Sequence, residues 1–359
     1  MQTFKNKKVL ITGHTGFKGS WLALWLNLLG AKVVGISNKI MTKPSHYGAI
    51  NLKKEIKEKF IDLSNLKKTS DFIEKTEPDF IFHLAAQALV KKSFLNPYET
   101  WISNLNGTLS VLEGLKRLNK KGKKICTAVL ITSDKVYKNL GLDKGYKEND
   151  LIGDYDPYSA SKASAELLIQ SYVKSFFDKN NSKVRIATAR AGNVIGGGDW
   201  SENRLIPDFV KSWSKNKKLF IRNPNSTRPW QHVLEVLRGY IILAEKLRKN
   251  SKLHGESFNF GPTSKNKYTV VKLLKYIKFK LPKINWSIKK NPKKFKEAKL
   301  LRLNSNKAKK ILKWKCILTF NQTIDITLDW YNNYYFNKKN IKDFSIKQIS
   351  DYTNIYKKK

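Results

Sequence analysis

The chain has 359 residues, 41% of them hydrophobic and 12% aromatic, enough for one large or two medium domains with a buried core. Its two cysteines, Cys126 and Cys316, exclude a disulfide framework, and no run of about 18 apolar residues occurs, so no membrane span is expected. The formal net charge of +42 would suit a polyanion, but only nine basic residues are arginine and the lysines are spread over every segment; this reads as biased residue usage and a solvated basic surface, with no specific nucleic-acid partner expected.

The first eight residues run straight into Val9-Leu10-Ile11-Thr12, which predicts a buried strand rather than a secretory leader; a cytoplasmic protein is expected. Trp21, Trp25 and Leu29 recur at helical spacing over 17–29, and Gly30 stops that helix. Strands are predicted over 32–36, 60–63 and 79–85, a long helix over 98–118, a strand over 125–132, a helix over 158–177 and a strand over 184–189. Such alternation predicts an α/β fold, a Rossmann-type doubly wound parallel sheet. After Gly196-Gly197-Gly198 the regularity weakens, with helices near 205–215, 232–249, 269–280 and 321–336. Residues 1–195 are read as a dinucleotide-binding domain and 196–359 as a smaller C-terminal α/β lobe that binds substrate, the 232–249 helix packing back on the first domain. Nothing is assigned after 336.

Gly13-His14-Thr15-Gly16-Phe17-Lys18-Gly19 lies between the first strand and the first helix. Three glycines there permit a tight turn, close approach to a pyrophosphate and helix-on-strand packing, with the helix N-terminus facing the anion. Small or apolar residues are commoner where His14 and Lys18 stand; Lys18 either helps hold phosphate or faces solvent. The second strand ends without an acidic residue. Asn38 could bind a ribose hydroxyl and Lys39 a 2′-phosphate, so this segment leaves NAD or NADP open. Asp62, beside Leu63, is either an adenine acceptor or a helix cap. Leu84, Ala85, Ala86 and Gln87 suit a close-lying cofactor, whereas His83 reads as a packed histidine.

Tyr158 and Lys162 share one helix face, so the lysine cation could lower the phenol pKa and make it a usable base. The same spacing follows Tyr268, Tyr276, Tyr334 and Tyr335; only Tyr158 lies downstream of a glycine loop and just past a strand ending in Ser133-Asp134-Lys135. Strand C-terminal ends are where such sheets place their sites. Ser133 could bind a substrate oxygen, and Asp134 and Lys135 could serve a further proton transfer. Arg204, Arg222 and Arg228 suit a diphosphate, and Trp200 could stack on a base. No metal site is expected.

The stretches TGHTGFKGSWL, FHLAAQ, ITSDKVY, YDPYSASK, RAGNVIGGGDW, RLIPD, IRNP, RPWQHV and NFGP, and the tail at Ile349-Ser350-Asp351-Tyr352, resemble the extended short-chain dehydrogenase/reductases over nearly the whole length, in particular the CDP-glucose 4,6-dehydratases. The resemblance implies NAD as cofactor, CDP-glucose as substrate, and a homodimer or homotetramer formed through the helices starting near 98 and 158. It implies Tyr158 and Lys162 as catalytic residues, Ser133 binding the sugar, Asn104 as the family's helix asparagine, and Asn193 and Asn259 among the substrate contacts. Related dTDP-glucose enzymes carry Asp-Glu where this chain has Asp134-Lys135. The implied reaction has Tyr158 taking the C4-hydroxyl proton, C4 oxidation, loss of the C5 proton and C6 hydroxyl, and hydride return to C6. Asp134 would protonate the departing hydroxyl. Lys135 would be the C5 base or would stabilise the enolate, the base role being favoured by the Glu it replaces. A 3,6-dideoxyhexose of cell-surface polysaccharide would be the downstream product. The rival readings are a nucleotide-sugar 4-epimerase, which needs no Asp134–Lys135 pair, and a non-catalytic dinucleotide-sensing or polyanion-binding protein.

Overall fold

The computed structural model describes residues 2–141, 145–178, 181–221, 223–262, 268–282, 284–288 and 301–358. Its strands are β1 (Lys8–Thr12), β2 (Lys32–Ser37), β3 (Lys57–Phe60), β4 (Phe80–His83), β5 (Cys126–Ile131), β6 (Val184–Ala191), β7 (Val194–Ile195), β8 (Leu219–Ile221), β9 (Gln231–His232), β10 (Ser257–Phe260) and β11 (Trp286–Ile288). The helices are α1 (Phe17–Leu28), α2 (His46–Ala49), α3 (Leu66–Thr76), α4 (Val90–Leu95), α5 (Pro97–Trp101), α6 (Gly107–Lys121), α7 (Pro157–Phe176), α8 (Leu205–Ser214), α9 (Val233–Lys249), α10 (Val270–Lys280), α11 (Phe320–Tyr335) and α12 (Ile341–Lys358).

Seven strands form one parallel sheet in the order β3-β2-β1-β4-β5-β6-β10. The order reverses between β1 and β4, which creates the crevice where such sheets bind ligands. Alternation along the strands feeds two cores. Val9, Ile11, Phe80, Phe82, Val129 and Ile131 join one cluster with α1, α9, α11 and α12. Leu10, Ile81, Cys126, Ala128 and Leu130 join a second with α3, α6 and α7.

Four elements differ from the sequence expectation. The third strand lies at 57–60, not 60–63, because Lys-Glu-Lys-Phe is a polar edge strand with no apolar period. β10 comes from the region read as the second lobe, yet it completes the main sheet beside β6. Together with α9, which packs on β5 and β6, it threads residues 233–260 back into the first layer. The final helix, α12, buries Ile341, Ser345, Gln348, Ile349 and Tyr352, a helical stripe hidden among lysines. The predicted 98–118 helix is instead α5, a π-turn over Ile102–Asn106, and α6.

The three-glycine loop at 196–198 is packed into protein. Trp21 Nε1 donates to the Gly197 carbonyl at 2.8 Å, and the Trp21 ring stacks on His46 at 4.3 Å. An added Cβ would fall 2.7 Å from Val233 at Gly196, 2.0 Å from the Trp330 ring at Gly197 and 2.6 Å from His46 at Gly198, where φ is +83°. We therefore expect Gly197→Ala to destabilise the fold by about 1–3 kcal/mol through overpacking, read from the denaturant midpoint. An unchanged midpoint would contradict this packing.

Three buried imidazoles, His46, His83 and His232, are pushed from 6.5 to about 3 by burial. Folding with a depressed histidine pKa gives stability that is whole above the unfolded value of 6.5 and is lost as pH falls toward 3. Each group contributes a slope of about 1.4 kcal/mol per pH unit in that window. A His46→Asn variant should show a shallower loss of unfolding free energy between pH 6.5 and 4.5 than the parent; parallel curves would contradict it.

Candidate active site

The β1–α1 turn is built by contact. Gly13 holds φ +76° and donates its N–H to the Ile36 carbonyl at 2.7 Å. A Cβ on Gly13 would sit 2.8 Å from the Ala85 backbone, and one on Gly19 would sit 2.1 Å from the Gly13 carbonyl. Gly16 caps α1 in extended conformation and Phe17 opens the helix. The α1 N–H groups thus face the crevice between β1 and β4, beside half-buried Leu84, Ala85 and Ala86. This cradle, which side chains would fill, fits a dinucleotide pyrophosphate.

Not every residue of that reading turns its side chain to the crevice. The His14 ring is buried toward β2 and β3, with Nε2 2.8 Å from Glu58 and Nδ1 3.2 Å from Ser37 Oγ. A Cβ at Gly35 would meet the ring at 2.4 Å, so His14 offers a ligand only its backbone. Leu63 belongs to the second core. Thr15 is buried and donates to the Lys39 carbonyl at 2.9 Å. Asn38 is exposed at the end of β2. Asp62 accepts from the N–H and hydroxyl of Ser64, and the α3 cap is Asn65. Gln87 spends its side chain closing its own loop, with Nε2 on the Leu89 carbonyl and Thr100 Oγ1. Asn104, in the π-turn, takes the Gln87 N–H and gives its amide to the Gln87 carbonyl and Ser161 Oγ, so it pins that loop to α7. His83 is packed as expected, bonded to Thr12 Oγ1 at 2.7 Å and Thr108 Oγ1 at 3.2 Å.

The reacting end is better assembled. Asp156 caps α7 and Pro157 takes its first turn, which sets Tyr158 at the helix mouth and Lys162 one turn on. The Tyr158 N–H donates to Ser93 Oγ at 3.2 Å. Ser133 donates to Asp134 Oδ1 at 3.0 Å and accepts the Lys135 N–H at 3.2 Å. Ser133, Asp134, Tyr158 and Lys162 are all buried, and Lys135 is half-buried. The other Tyr-x-x-x-Lys pairs lie elsewhere: Lys272 sits 4.9 Å from the Tyr268 ring centre and Lys280 5.7 Å from that of Tyr276.

Dryness governs the charges. Burial pushes the Tyr158 phenol up to about 12, against hydrogen bonding to Ser133 and the Arg204 charge. The expectation that Lys162 holds this phenol low is thus not met in this structure. Lys162 itself is brought down to about 7, by burial and then by Lys18. Burial raises the Asp134 carboxyl against Lys135 and Arg228. Lys18, 3.5 Å from the Tyr240 hydroxyl, falls to about 8 through burial and Arg204. Lys18 therefore belongs to the reacting end.

Of the residues assigned to substrate, Asn193 is exposed, and its carbonyl accepts from the Gln231 N–H. Arg204 is ion-paired to Asp199 at 3.2 Å and borders Tyr158 and Lys18. Arg228 acts on Asp134. Arg222 lies outside the described residues. Two assignments do not hold. Trp200 is 2% exposed, donates to the Tyr335 hydroxyl and packs on Trp330, Tyr331 and Tyr334, so it is core rather than a base-stacking ring. Asn259 is 0% exposed in β10, its side chain consumed by Tyr137, Tyr146 and Asn304. Two contacts were not anticipated: Tyr240 beside Lys18, and Gly192, whose Cβ would lie 2.9 Å from Asp134 Oδ2. Neither has a local signal, because both arise from chain reversals into the sheet.

The family model described as GDP-mannose 4,6 dehydratase matches residues 10–327. A CDP-glucose 4,6-dehydratase of Salmonella typhimurium is 39% identical over 97% of this chain and 97% of its own length. The fold is similar to a crystal structure of UDP-glucose 4-epimerase from Thermotoga maritima (TM-score 0.76, 22% identity, 92% of this chain and 99% of that one). It is also similar to a crystal structure of dTDP-glucose 4,6-dehydratase from Bacillus anthracis in complex with NAD (TM-score 0.74, 22% identity, 92% and 99%). By the span of the family match and the identity to the Salmonella enzyme, the chain belongs to the GDP-mannose 4,6-dehydratase family of extended short-chain dehydrogenase/reductases.

Proposed function

We propose that this chain is an NAD-dependent CDP-glucose 4,6-dehydratase, a hydro-lyase forming CDP-4-keto-6-deoxyglucose and water. The observation that carries the reading is one cluster of a buried phenol, a buried and raised carboxyl and a buried lysine, with half-buried Lys18 and Lys135 beside them, at the C-terminal edge of the sheet. The identity to the Salmonella enzyme supports CDP-glucose as the substrate.

Gly13, Gly16 and Gly19 would hold the NAD pyrophosphate, with Leu84–Ala86 and the Asn104-pinned loop beside it. When bound, NAD supplies hydride acceptance from C4, hydride return to C6 and a cationic ring. Tyr158 takes the C4-hydroxyl proton; the Ser133 hydroxyl and Arg204 favour its anion. Ser133 also orients the sugar hydroxyl. The 4-ketone then acidifies C5–H. Asp134, whose carboxyl burial raises above its ordinary range, is the acid that delivers a proton to the departing C6 hydroxyl. Lys135, adjacent to Asp134, removes the C5 proton and returns a proton to C5 when hydride reaches C6. Arg228 and Arg204 supply positive charge toward the diphosphate end.

A homodimer or larger assembly is part of the reading. Leu95 and Tyr98, at the α4–α5 end, and Leu167 on α7 are 66%, 76% and 56% exposed, which supports a partner copy on these helices. Among the described residues no helix is long and apolar enough to cross a membrane.

Purified protein given CDP-glucose and NAD should produce a new C6 methyl doublet in the proton NMR spectrum. A C4 epimer without a methyl signal would favour the epimerase reading instead. Tyr158→Phe should lower kcat by about 10²–10⁴-fold with KM changed little. Lys135→Met should abolish solvent exchange at C5 while leaving C4 oxidation measurable. Exchange at the parent rate would remove Lys135 from the base role.

A further inference from the structure

Glu166 and Arg190, each 1% exposed, form a buried ion pair at the C-terminal end of the sheet. Arg190 Nε reaches both Glu166 oxygens at 2.8 and 2.9 Å, and its NH2 group bonds Oε2 as well. Its NH1 group donates to the Tyr137 hydroxyl at 2.6 Å and the Glu148 carbonyl at 2.8 Å. Thr132 Oγ1 donates to Glu166 Oε1. These contacts join the three elements that carry the site. Glu166 stands on α7 four residues after Lys162, on the same helix face. Thr132 immediately precedes Ser133. Arg190 is two residues before Gly192, which abuts Asp134. Ion pairs of this kind have no general stability advantage over a packed apolar pair, because both charges must leave water. Their use here is geometric and electrostatic.

We propose that Glu166 and Arg190 are positioning residues that set the Tyr158–Lys162 helix against the Ser133–Lys135 segment, and that the Glu166 carboxylate sustains the Lys162 ammonium. This rests on the dehydratase reading of the same pocket. The charged and titratable groups around Lys162 are Lys18 from α1, His83 from β4, and Tyr158 and Glu166 from its own helix. Burial and Lys18 bring Lys162 down, and Glu166 opposes them. With that carboxylate gone, Lys162 loses its proton at lower pH, and the site that holds Tyr158 loses that positive charge.

The test compares Glu166→Gln, which keeps an acceptor for Thr132, with Arg190→Lys, which keeps the charge. Both should lower kcat by about tenfold or more with KM within about twofold. Glu166→Gln should also move the high-pH limb of the kcat profile down by about one unit, whereas Arg190→Lys should leave it in place. An unmoved limb in Glu166→Gln overturns the proposal. If the parent protein forms no methyl product from CDP-glucose, the dehydratase reading falls by itself. Amide hydrogen exchange across 157–166 in the cofactor-free proteins then decides the positioning: faster exchange in both variants supports it, and parental rates overturn it.

Discussion

Desolvation is the constraint from which the chemistry of this pocket follows. Lys162, Asp134 and Tyr158 are buried, with half-buried Lys18, Arg204 and Arg228 close enough to act on one another or on the carboxyl and the phenol. A dry environment penalises every charged form, so it moves acids up and amines down at once. The result is a carboxyl raised above its ordinary range, amines brought down to about 7 at Lys162 and about 8 at Lys18, and a phenol pushed up to about 12. The raised carboxyl and phenol and the lowered amines come from one physical cause, and each is then tuned by specific neighbours.

Keeping the pocket dry depends on backbones approaching closely, which is what the glycines permit. Gly13 lies against Ala85, Gly19 against Gly13, and Gly192 against Asp134. The same close approach locks Gly196–Gly198 under Val233, Trp330 and His46, which joins the substrate side to the first core. Below the pocket, Glu235 accepts the N–H groups of Ile317 and Leu318 and the Tyr352 hydroxyl, so α9 fastens the C-terminal segments to the sheet. Tyr352 in turn packs edge-on to Trp25 of α1. The chain therefore closes on itself around the first helix after the glycine turn.

Much of this was legible in the residues alone. Strand-helix alternation, the glycine spacing after β1 and the Tyr158–Lys162 helix each depend on local pattern, and local pattern survives folding. What escaped depends on long-range contact. β10 is four residues long and was hidden by the loss of regularity after 196. α12 was hidden by lysines on its outer face. Trp200 and Asn259 belong to motifs of the resembling family, and sequence alone does not separate a motif residue that touches ligand from one that packs beneath it. The phenol's raised pKa was likewise out of reach, since spacing reveals the nearby lysine but not the missing water. Glu166 did have a signal, its i+4 relation to Lys162, which acquires meaning only when Arg190 is seen to meet it.

The central claim is that one pocket removes hydrogen from C4 and delivers it to C6 of the same sugar. The direct measurement is the fate of deuterium in CDP-glucose labelled at C4, incubated with the protein and NAD and followed by deuterium and proton NMR. The account predicts that the label appears in the C6 methyl group of the 4-keto product. Label retained at C4 of an epimerised sugar, or lost entirely to solvent, would contradict it.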